Sequence, residues 1–283
     1  MTEKVYALVT GGTSGMGLEY VRELARRGYN VIVAALPGRA DENGNPAGPP
    51  SPEAICDLMM AEYPGLDFVP AGIDLARTEA AQELYDRVFA ARPDAVVEVL
   101  VNNAGIINIR HFREMTAAQL DRELLLHNYT TTMLCHLFLP AMEKRGKGYV
   151  LNVSSLAAWL PEPFINSGPS TKAYNRIFTR ALRTEYYGTG VKVATVYFGA
   201  VDTPLFNLKP SLRRLARNLH VMITPQKAAR TALDMLFAGR SGRMPGVVNH
   251  IGKWFCLALP RPLVAWIDRT VTRKLTKEPS ARG

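Results

Sequence analysis

The chain contains 283 residues, 47% of them hydrophobic and 21% charged, which is typical of a water-soluble protein with one large α/β domain or two small ones. Its three cysteines are widely spaced and match no metal-binding or disulfide pattern, so the composition favours a reducing cytoplasm. The amino terminus shows no signal-peptide pattern, and no run of about 18 apolar residues predicts a membrane span.

The net charge of +9 is unevenly distributed along the chain. Residues 207–283 contain 15 Lys and Arg against 3 Asp and Glu. Such a basic segment can attract an anionic substrate, an acidic carrier protein or a membrane surface, and an ordinary solvated surface explains it equally well. Nucleic acid is not an expected partner, because the basic residues accompany no recognisable nucleic-acid-binding module.

Short apolar runs rich in β-branched residues alternate with segments of helical periodicity. The runs lie at 5–10, 30–35, 66–73, 96–102, 148–154 and 191–198. The helical segments lie at 16–28, 53–63, 79–92, 116–145, 169–188 and near 225–238. Strands buried on both faces and separated by helices predict an α/β protein with a Rossmann-type, doubly wound parallel sheet.

We predict a single domain with a carboxy-terminal extension. Residues 1–206 form the predicted core, interrupted by a loop insertion at 37–52, where the Pro and Gly content opposes regular structure. Residues 207–283 form the basic, partly apolar extension, which we expect to act as a lid over the substrate. Its segment 254–275 mixes apolar residues with Arg and Lys, so a membrane surface, the substrate cleft and a partner subunit are alternative contacts.

Three glycines lie between the first predicted strand and the first predicted helix, in the sequence VTGGTSGMG. Gly11, Gly15 and Gly17 allow the backbone to approach a pyrophosphate, whose charge the helix amino terminus stabilises. Glycines also serve ordinary tight turns, but this group opens the first βαβ unit, which is the context that dinucleotide binding requires. The turn therefore predicts a nucleotide site.

Several motifs in order resemble the short-chain dehydrogenase/reductase family. TGGTSGMG at 10–17 matches the family's glycine turn, and NNAG at 102–105 matches its second motif. Asp74 lies where the family contacts the adenine ring, and Asn128 where it has a structural and catalytic asparagine. Ser155 lies at the end of the fifth strand, where the catalytic serine is expected.

The resemblance extends from about residue 5 to residue 206 and implies a dinucleotide site built from many parts of the chain. The carboxy-terminal segment more loosely resembles the branch of long-chain 3-oxoacyl and 17β-hydroxysteroid reductases. The implied cofactor-binding residues are Thr10, Gly11, Ser14, Gly15, Met16, Gly17, Arg39, Asp74, Leu75, Asn103, Ala104, Gly105, Lys172 and Thr203.

The end of the second strand favours NADPH/NADP over NADH. The sequence there is Ala34-Ala35-Leu36, so no carboxylate stands where it would exclude a 2′-phosphate. Arg39 follows closely and is suited to binding that phosphate, and a position in a solvated loop explains this arginine equally well.

The residue expected to supply the proton is absent. In the family, a tyrosine protonates the substrate, a serine orients the carbonyl oxygen, and a lysine four residues after the tyrosine binds the cofactor and lowers the tyrosine pKa. Lys172 lies in the expected PSTKA context, but position 168, which is 13 residues after Ser155, is glycine. Tyr174 should face away from Lys172, at about 200° around the helix, and nothing in the spacing directs Tyr197 into the cleft.

Gly168 and Pro169 instead suggest the N-cap and the first position of a helix. His127, next to Asn128, is interpreted as a structural residue rather than a proton relay. Trp159 and Phe164, in the stretch between Ser155 and Gly168, fit either an apolar substrate pocket or the core.

Three functions remain open. The favoured one is an NADPH-dependent oxidoreductase acting on a carbonyl or hydroxyl group of a hydrophobic substrate, such as a free or carrier-bound acyl chain, a polyketide or a steroid. Ser155, Asn128 and Lys172 are its catalytic candidates, and the proton comes from water, the substrate, Lys172 or a displaced tyrosine. The alternatives are a related enzyme with another reaction and a nucleotide-binding protein without turnover. The resemblance also implies a homodimer or homotetramer, paired through its long fourth and fifth crossover helices. The cysteine usage predicts a cytoplasmic location, and the segment 254–275 makes membrane association the alternative.

Overall fold

The computed structural model describes residues 4–40, 46–160, 167–203, 222–244, 254, 259–267 and 269–270. Its centre is a six-stranded, entirely parallel sheet with the order β5-β2-β1-β6-β7-β8. The strands are β1 (Lys4–Thr10), β2 (Asn30–Ala35), β5 (Phe68–Gly72), β6 (Ala95–Asn102), β7 (Gly148–Ser155) and β8 (Val191–Phe198). The Rossmann-type fold predicted from the alternating pattern is confirmed.

Helices cover both faces of this sheet. They are α1 (Gly15–Arg26), α2 (Pro52–Glu62), α3 (Ala80–Ala91), α4 (Ala117–Leu124), α5 (Thr130–Lys144), α6 (Ser167–Glu185), α7 (Pro225–Phe237) and α8 (Arg261–Ile267). One core joins α1, α2 and α7 to the sheet, and the other joins α3, α5 and α6 to the opposite face. In β1, Ala7 and Val9 enter the first core while Tyr6 and Leu8 enter the second, because successive side chains of a strand point to opposite faces.

Strand order reverses between β1 and β6, so their carboxyl ends border a crevice. In open parallel sheets of this kind, ligands bind at such a switch point, outside the carboxyl ends of the strands. The glycine turn follows β1 and the NNAG motif ends β6, so the fold brings both motifs to the same crevice.

Two local expectations were wrong. The insertion at 37–52 contains a short antiparallel pair, β3 (Arg39–Ala40) with β4 (Pro46–Ala47), because a proline is compatible with an edge strand. The helix predicted to begin with Gly168 as its N-cap already includes Ser167, so Gly168 lies within its first turn.

The long helix predicted at 116–145 is interrupted by a π-helical turn, Leu125–Tyr129, between α4 and α5. Single π turns inside α-helices occur frequently at functional sites. This one contains Asn128, and it therefore changes the direction in which that side chain leaves the helix.

Part of the carboxy-terminal segment belongs to the core. Helix α7 contributes Ala228, Ala232 and Leu233, all fully buried, to the core that it shares with α1. Next to it, β10 (Met222–Ile223) pairs with β9 (Ala200–Val201). Of the segment 254–275, residues 255–258, 268 and 271–275 lie outside the described residues. None of the helices in the described ranges is long and apolar enough to cross a membrane.

A buried polar network joins the sheet to the helix that carries Lys172. The amide of Asn102 on β6 donates to Asn152 Oδ1 on β7 at 2.8 Å, and the amide of Asn152 donates to Thr179 Oγ1 on α6 at 2.9 Å. All three residues are buried. The two amides also contact Cys135 Sγ, at 3.6 and 3.8 Å, so the shorter bonds of this network carry the connection between α6 and the sheet.

We expect Asn152→Ala to lower the free energy of unfolding by about 1–3 kcal/mol, because it leaves the buried Asn102 amide and Thr179 hydroxyl without this partner. Urea unfolding followed by circular dichroism measures the change. Gln82→Ala is the matched control, since the Gln82 amide bonds to Asp86 on the exposed surface of α3. Equal stability of the two variants would contradict the role given to the network.

Candidate functional site

Three positions of the turn after β1 require glycine, two because of the backbone conformation and one because of close packing. Gly11 and Gly15 adopt φ angles of +67° and +53°, which side chains disfavour. A Cβ on Gly17 would lie 1.8 Å from the carbonyl oxygen of Gly11, so the first turn of α1 rests directly on the backbone of the loop. Gly17 thus allows the helix to pack against the loop, and binding of a pyrophosphate by the backbone of this turn remains a prediction.

Hydrogen bonds connect this turn to the end of β6. Thr10 Oγ1 accepts from the backbone N–H groups of Asn103 and Ala104, both at 3.0 Å, and the Asn103 amide donates to the Thr10 carbonyl at 3.0 Å. A Cβ on Gly11 would lie 3.0 Å from Ala104 Cα. The Asn103 side chain and the Thr10 hydroxyl are thus used to hold the two motifs together.

Other residues predicted to bind the cofactor cluster at the amino terminus of α1. Ser14 is the N-cap residue, and its side chain makes no capping hydrogen bond. Met16 follows in the first turn. Thr203 approaches from beyond β9, with its methyl group 3.4 Å from the position of a Cβ on Gly15. The helix amino terminus is therefore bordered by residues from two distant parts of the chain.

Asp74 and Leu75 lie in the region predicted to bind the adenosine part of the cofactor, and Arg122, which the sequence analysis did not name, lies beside Asp74. Asp74 accepts hydrogen bonds from the Ala76 N–H at 3.0 Å and from Arg122 at 2.9 Å. Burial acts to raise the pKa of Asp74, but these hydrogen bonds hold it below its ordinary value. Leu75 is buried, and its carbonyl accepts from Thr130.

Residues near the second strand bear on the choice between NADP and NAD. The backbone of Arg39 forms part of β3, and its side chain lies outside the described residues. The sequence did not indicate Glu53, whose Oε1 lies 3.6 Å from the position of a Cβ on Gly72, at the end of β5. This carboxyl group comes from α2 and approaches the strand ends where a ribose would lie.

Ser155, Asn128 and Lys172 lie on the elements that the motifs predicted. The Ser155 hydroxyl, at the end of β7, accepts from the Ala157 N–H at 3.1 Å and donates to the Phe198 carbonyl at 3.4 Å. The Asn128 amide donates to the Thr171 carbonyl at 3.0 Å and so ties the π turn to α6.

Lys172 is half-buried on α6, with its ammonium 3.4 Å from the Val153 carbonyl. Desolvation lowers the pKa of Lys172 to about 8, and the negative charge of Glu123 opposes this effect. The ammonium can therefore release a proton close to neutral pH, which an ordinary surface lysine does not do.

His127 is a structural residue in this geometry. Its Nε2 accepts from the Ile106 N–H at 3.0 Å, so its Nδ1 carries the hydrogen and donates to Thr171 Oγ1 at 2.8 Å. Thr171 Oγ1 in turn donates to the Gly168 carbonyl at 2.8 Å. Burial, and then the charge of Lys172, lower the pKa of His127 well below its ordinary value, so the ring stays neutral.

Neither tyrosine near the motif replaces the missing phenol. Tyr174 is partly exposed and its hydroxyl is 2.9 Å from that of Thr132, so it faces α5 as expected. Tyr197 is buried and packs edge-on against Trp159, with ring centroids 4.4 Å apart. Phe164, which the sequence suggested as a pocket residue, lies outside the described residues.

Sequence analysis did not predict that Glu123 belongs to the site. This residue is fully buried, and it lies next to Gly168. Its Oε2 accepts from the Ser167 hydroxyl at 2.8 Å and from the Asn108 amide at 3.0 Å. Its Oε1 lies 3.4 Å from the position that a Cβ on Gly168 would take. A charged residue in an amphipathic helix usually belongs to the solvated face, so only the tertiary structure reveals this carboxylate.

We expect Gly17→Ala to lower the free energy of unfolding by about 1–3 kcal/mol and to weaken NADPH binding, because the added methyl collides with the Gly11 carbonyl. Urea unfolding and calorimetric titration measure the two effects. Gly72→Ala is the control for stability, since the nearest atom to its new Cβ lies at an ordinary 3.6 Å. A Gly17→Ala protein as stable as the wild type would refute the close packing of the turn.

Comparisons with known proteins agree with these motifs. A family model described as short chain dehydrogenase matches residues 5–212. The inactive hydroxysteroid dehydrogenase-like protein 1 of Pongo abelii is 28% identical over 276 residues, which cover 96% of this chain and 78% of that protein. The very-long-chain 3-oxoacyl-CoA reductase of Anas platyrhynchos is 30% identical over 250 residues, which cover 87% of this chain and 72% of that protein.

A solved structure shares the fold. The short-chain dehydrogenase from Sphingobium yanoikuyae, in complex with NADPH, matches with a TM-score of 0.70 and 21% sequence identity over 98% of both chains. Because the family model matches more than half of the chain, and because the glycine turn, the NNAG motif and the strand order agree with it, this protein belongs to the short-chain dehydrogenase family.

Proposed function

We propose that the protein is an NADP(H)-dependent oxidoreductase that reduces a carbonyl group, or oxidises the corresponding alcohol, of a hydrophobic substrate. The proposal is carried by one observation: Ser155, Asn128 and Lys172 lie on β7, the π turn and α6, and these elements are joined by hydrogen bonds from Ser154 to the Lys172 carbonyl and from Asn128 to the Thr171 carbonyl. A bound nicotinamide would supply the hydride. The glycine turn fits such a cofactor, because its backbone approaches where a Cβ would obstruct.

The chain's own groups then have distinct tasks. The Ser155 hydroxyl orients the carbonyl oxygen, and Lys172 both binds the cofactor ribose and supplies positive charge at the reacting oxygen. The Asn128 amide holds the Thr171 carbonyl and so positions the adjacent Lys172. The lowered pKa of Lys172, about 8, suits a group that also delivers a proton near neutral pH.

The cofactor choice rests on the end of β2. No carboxylate follows Ala35 there, and Arg39 is close in sequence, which favours NADP(H). The carboxyl group of Glu53 beside Gly72 argues in the opposite direction, because an acid near the ribose disfavours a 2′-phosphate. The similar structure in complex with NADPH supports NADP(H).

The substrate class rests on chemistry and on similarity. The relative named a very-long-chain 3-oxoacyl-CoA reductase supports an acyl thioester substrate. The basic segment 207–283 suits the anionic phosphates of such a carrier. Contact of residues 254–275 with a membrane surface remains a prediction, with Trp254 and Trp266 both well exposed.

Pairing into a homodimer is also part of the proposal. The helices expected to pair present exposed apolar side chains, including Leu124 on α4 and Tyr129 in the π turn. Single exposed apolar residues are normal on a surface, but a group of them on one helical pair is typical of an interface.

A nucleotide-binding protein without turnover is the second candidate. Gly168 removes the family's proton donor, and a relative with 28% identity is named as inactive. Loss of a general acid typically costs a factor of about 100 to 10,000 in rate. A protein that binds the cofactor tightly and reacts slowly or not at all fits the same residues.

We expect NADPH to bind more tightly than NADH in calorimetric titrations, and NADPH absorbance to fall when a long-chain 3-oxoacyl thioester or a 17-ketosteroid is added. Gly168→Tyr, which restores the family's phenol, is the matched variant. Tight NADPH binding without turnover by the wild type, together with turnover by Gly168→Tyr, would establish the second candidate. Absence of binding by either nucleotide would refute the proposal.

We expect the kcat for carbonyl reduction to be constant at low pH and to fall as pH rises through about 8, because Lys172 must be protonated to deliver its proton. Glu123 and His127 are the titratable groups with a charge interaction with Lys172, and His127 stays neutral. Lys172→Arg is the control, since arginine keeps its charge over this range. An unchanged pH profile in this variant would show that another group titrates.

A further inference from the structure

Among the described residues, only one oxygen of the Glu123 carboxylate, Oε2, accepts hydrogen bonds. Both of its hydrogen-bond donors, the Ser167 hydroxyl and the Asn108 amide, approach Oε2. Oε1 is buried and has no hydrogen-bond partner among the described residues. A buried carboxylate oxygen is strongly destabilised without a partner, so a specific group is expected to complete its coordination when the site is in use.

The free oxygen faces the space that Gly168 leaves open. Apart from Ser167, Pro169 and the nearby backbone of α6, Oε1 is the one described atom within 4 Å of the position of a Cβ at residue 168. The family's tyrosine would begin its side chain at this point. The glycine therefore leaves a space bordered by an acceptor rather than by apolar atoms, which is where a polar group can be held.

Lys172 borders the same region. It follows Gly168 by four residues on α6, so both positions lie on one face of the helix. Its charge also interacts with that of Glu123. Position 168, which has no side chain, thus has an acceptor, Glu123 Oε1, beside it and a proton donor, Lys172, one helical turn further along α6.

We infer that Glu123 holds a water molecule in the space beside Gly168, and that this water takes the place of the family's phenol hydroxyl in protonating the substrate. This inference rests on the proposed carbonyl reduction. Two hydrogen bonds of about 2.8 Å span about 5.6 Å from Oε1 through the water to a carbonyl oxygen. Because Oε1 lies 3.4 Å from the position of a Cβ at residue 168, a water bound to it can lie up to about 6 Å from that Cβ, which is about the distance of a phenol hydroxyl from its own Cβ.

The proton transfer balances with groups of the chain. As the carbonyl carbon accepts the hydride, the electron pair of the C=O π bond moves to oxygen. That oxygen takes a proton from the water, and the water takes one from the Lys172 ammonium. Lys172 is left neutral and regains its proton from solvent. Glu123 accepts the other hydrogen of the water and stays unchanged, so it is a positioning residue.

The test is a set of variants at Glu123 and Gly168, measured with NADPH and either a long-chain 3-oxoacyl thioester or a 17-ketosteroid. Glu123→Gln should lower the kcat of the wild type about 100-fold, the low end for losing proton transfer, with NADPH affinity unchanged. In the Gly168→Tyr background, Glu123→Gln should leave kcat nearly unchanged, because the phenol then supplies the proton. A purely structural role of Glu123 would lower kcat equally in both backgrounds and would overturn the inference.

Gly168→Phe is the matched control for Gly168→Tyr, since it fills the space without a hydroxyl. We expect it to lose activity even though Glu123 is intact. Full activity of Gly168→Phe would overturn the inference. Thermal unfolding and NADPH titration of each variant confirm that the protein is folded and binds the cofactor.

A crystal structure of the wild type provides a readout independent of activity. We expect an ordered water within hydrogen-bond distance of Glu123 Oε1, on the side of Gly168, and its absence would contradict the inference. Turnover by the wild type that is insensitive to Glu123→Gln would refute the role of Glu123 and leave the proposed function intact. No turnover of any probe by the wild type would refute the proposed function itself, and the inference with it.

Discussion

The site depends on how the first turns of α6 are fastened to the sheet and to the π turn. Backbone carbonyl groups of this segment accept hydrogen bonds from side chains on other elements: Thr171 from Asn128, and Lys172 from Ser154. The neutral ring of His127 supports the same turn through the Thr171 hydroxyl. Because these bonds are buried or partly buried, they are costly to break, and the position of Lys172 relative to Ser155 follows from them.

These hydrogen bonds do not involve a side chain at position 168, where the family has its tyrosine. The groups that hold α6 in place are backbone carbonyls, an asparagine, a serine and a histidine, and none of them needs a side chain at position 168. A glycine can therefore occupy the position while the surrounding geometry of the family is kept. Catalytic chemistry and structural support are carried by different atoms, so loss of one does not imply loss of the other.

The buried Glu123 carboxylate is a polar group that borders the position of the missing tyrosine. Burying a carboxylate is costly unless it is bonded and compensated, and this one receives two hydrogen bonds and lies near the charge of Lys172. These hydrogen bonds join α4 to Ser167 on α6 and to Asn108, so Glu123 also has a structural role that does not depend on the tyrosine. The relatives include one named as a reductase and one named as inactive, so family membership alone does not decide between turnover and binding.

The sequence by itself determined the fold, the crevice and the position of the missing phenol. Runs such as VYALVT have β-branched or apolar residues on both faces, which only a strand covered on both sides can bury, and the glycines at 11, 15 and 17 have local steric requirements that are visible in one dimension. Only the tertiary structure decided what lies opposite Gly168. Glu123 belongs to another helix, 45 positions earlier, and a helical pattern reports which face is apolar but not which residue of a neighbouring element meets it. The approach of Glu53 to Gly72 and the π turn at Asn128 likewise depend on long-range packing, which no local pattern encodes.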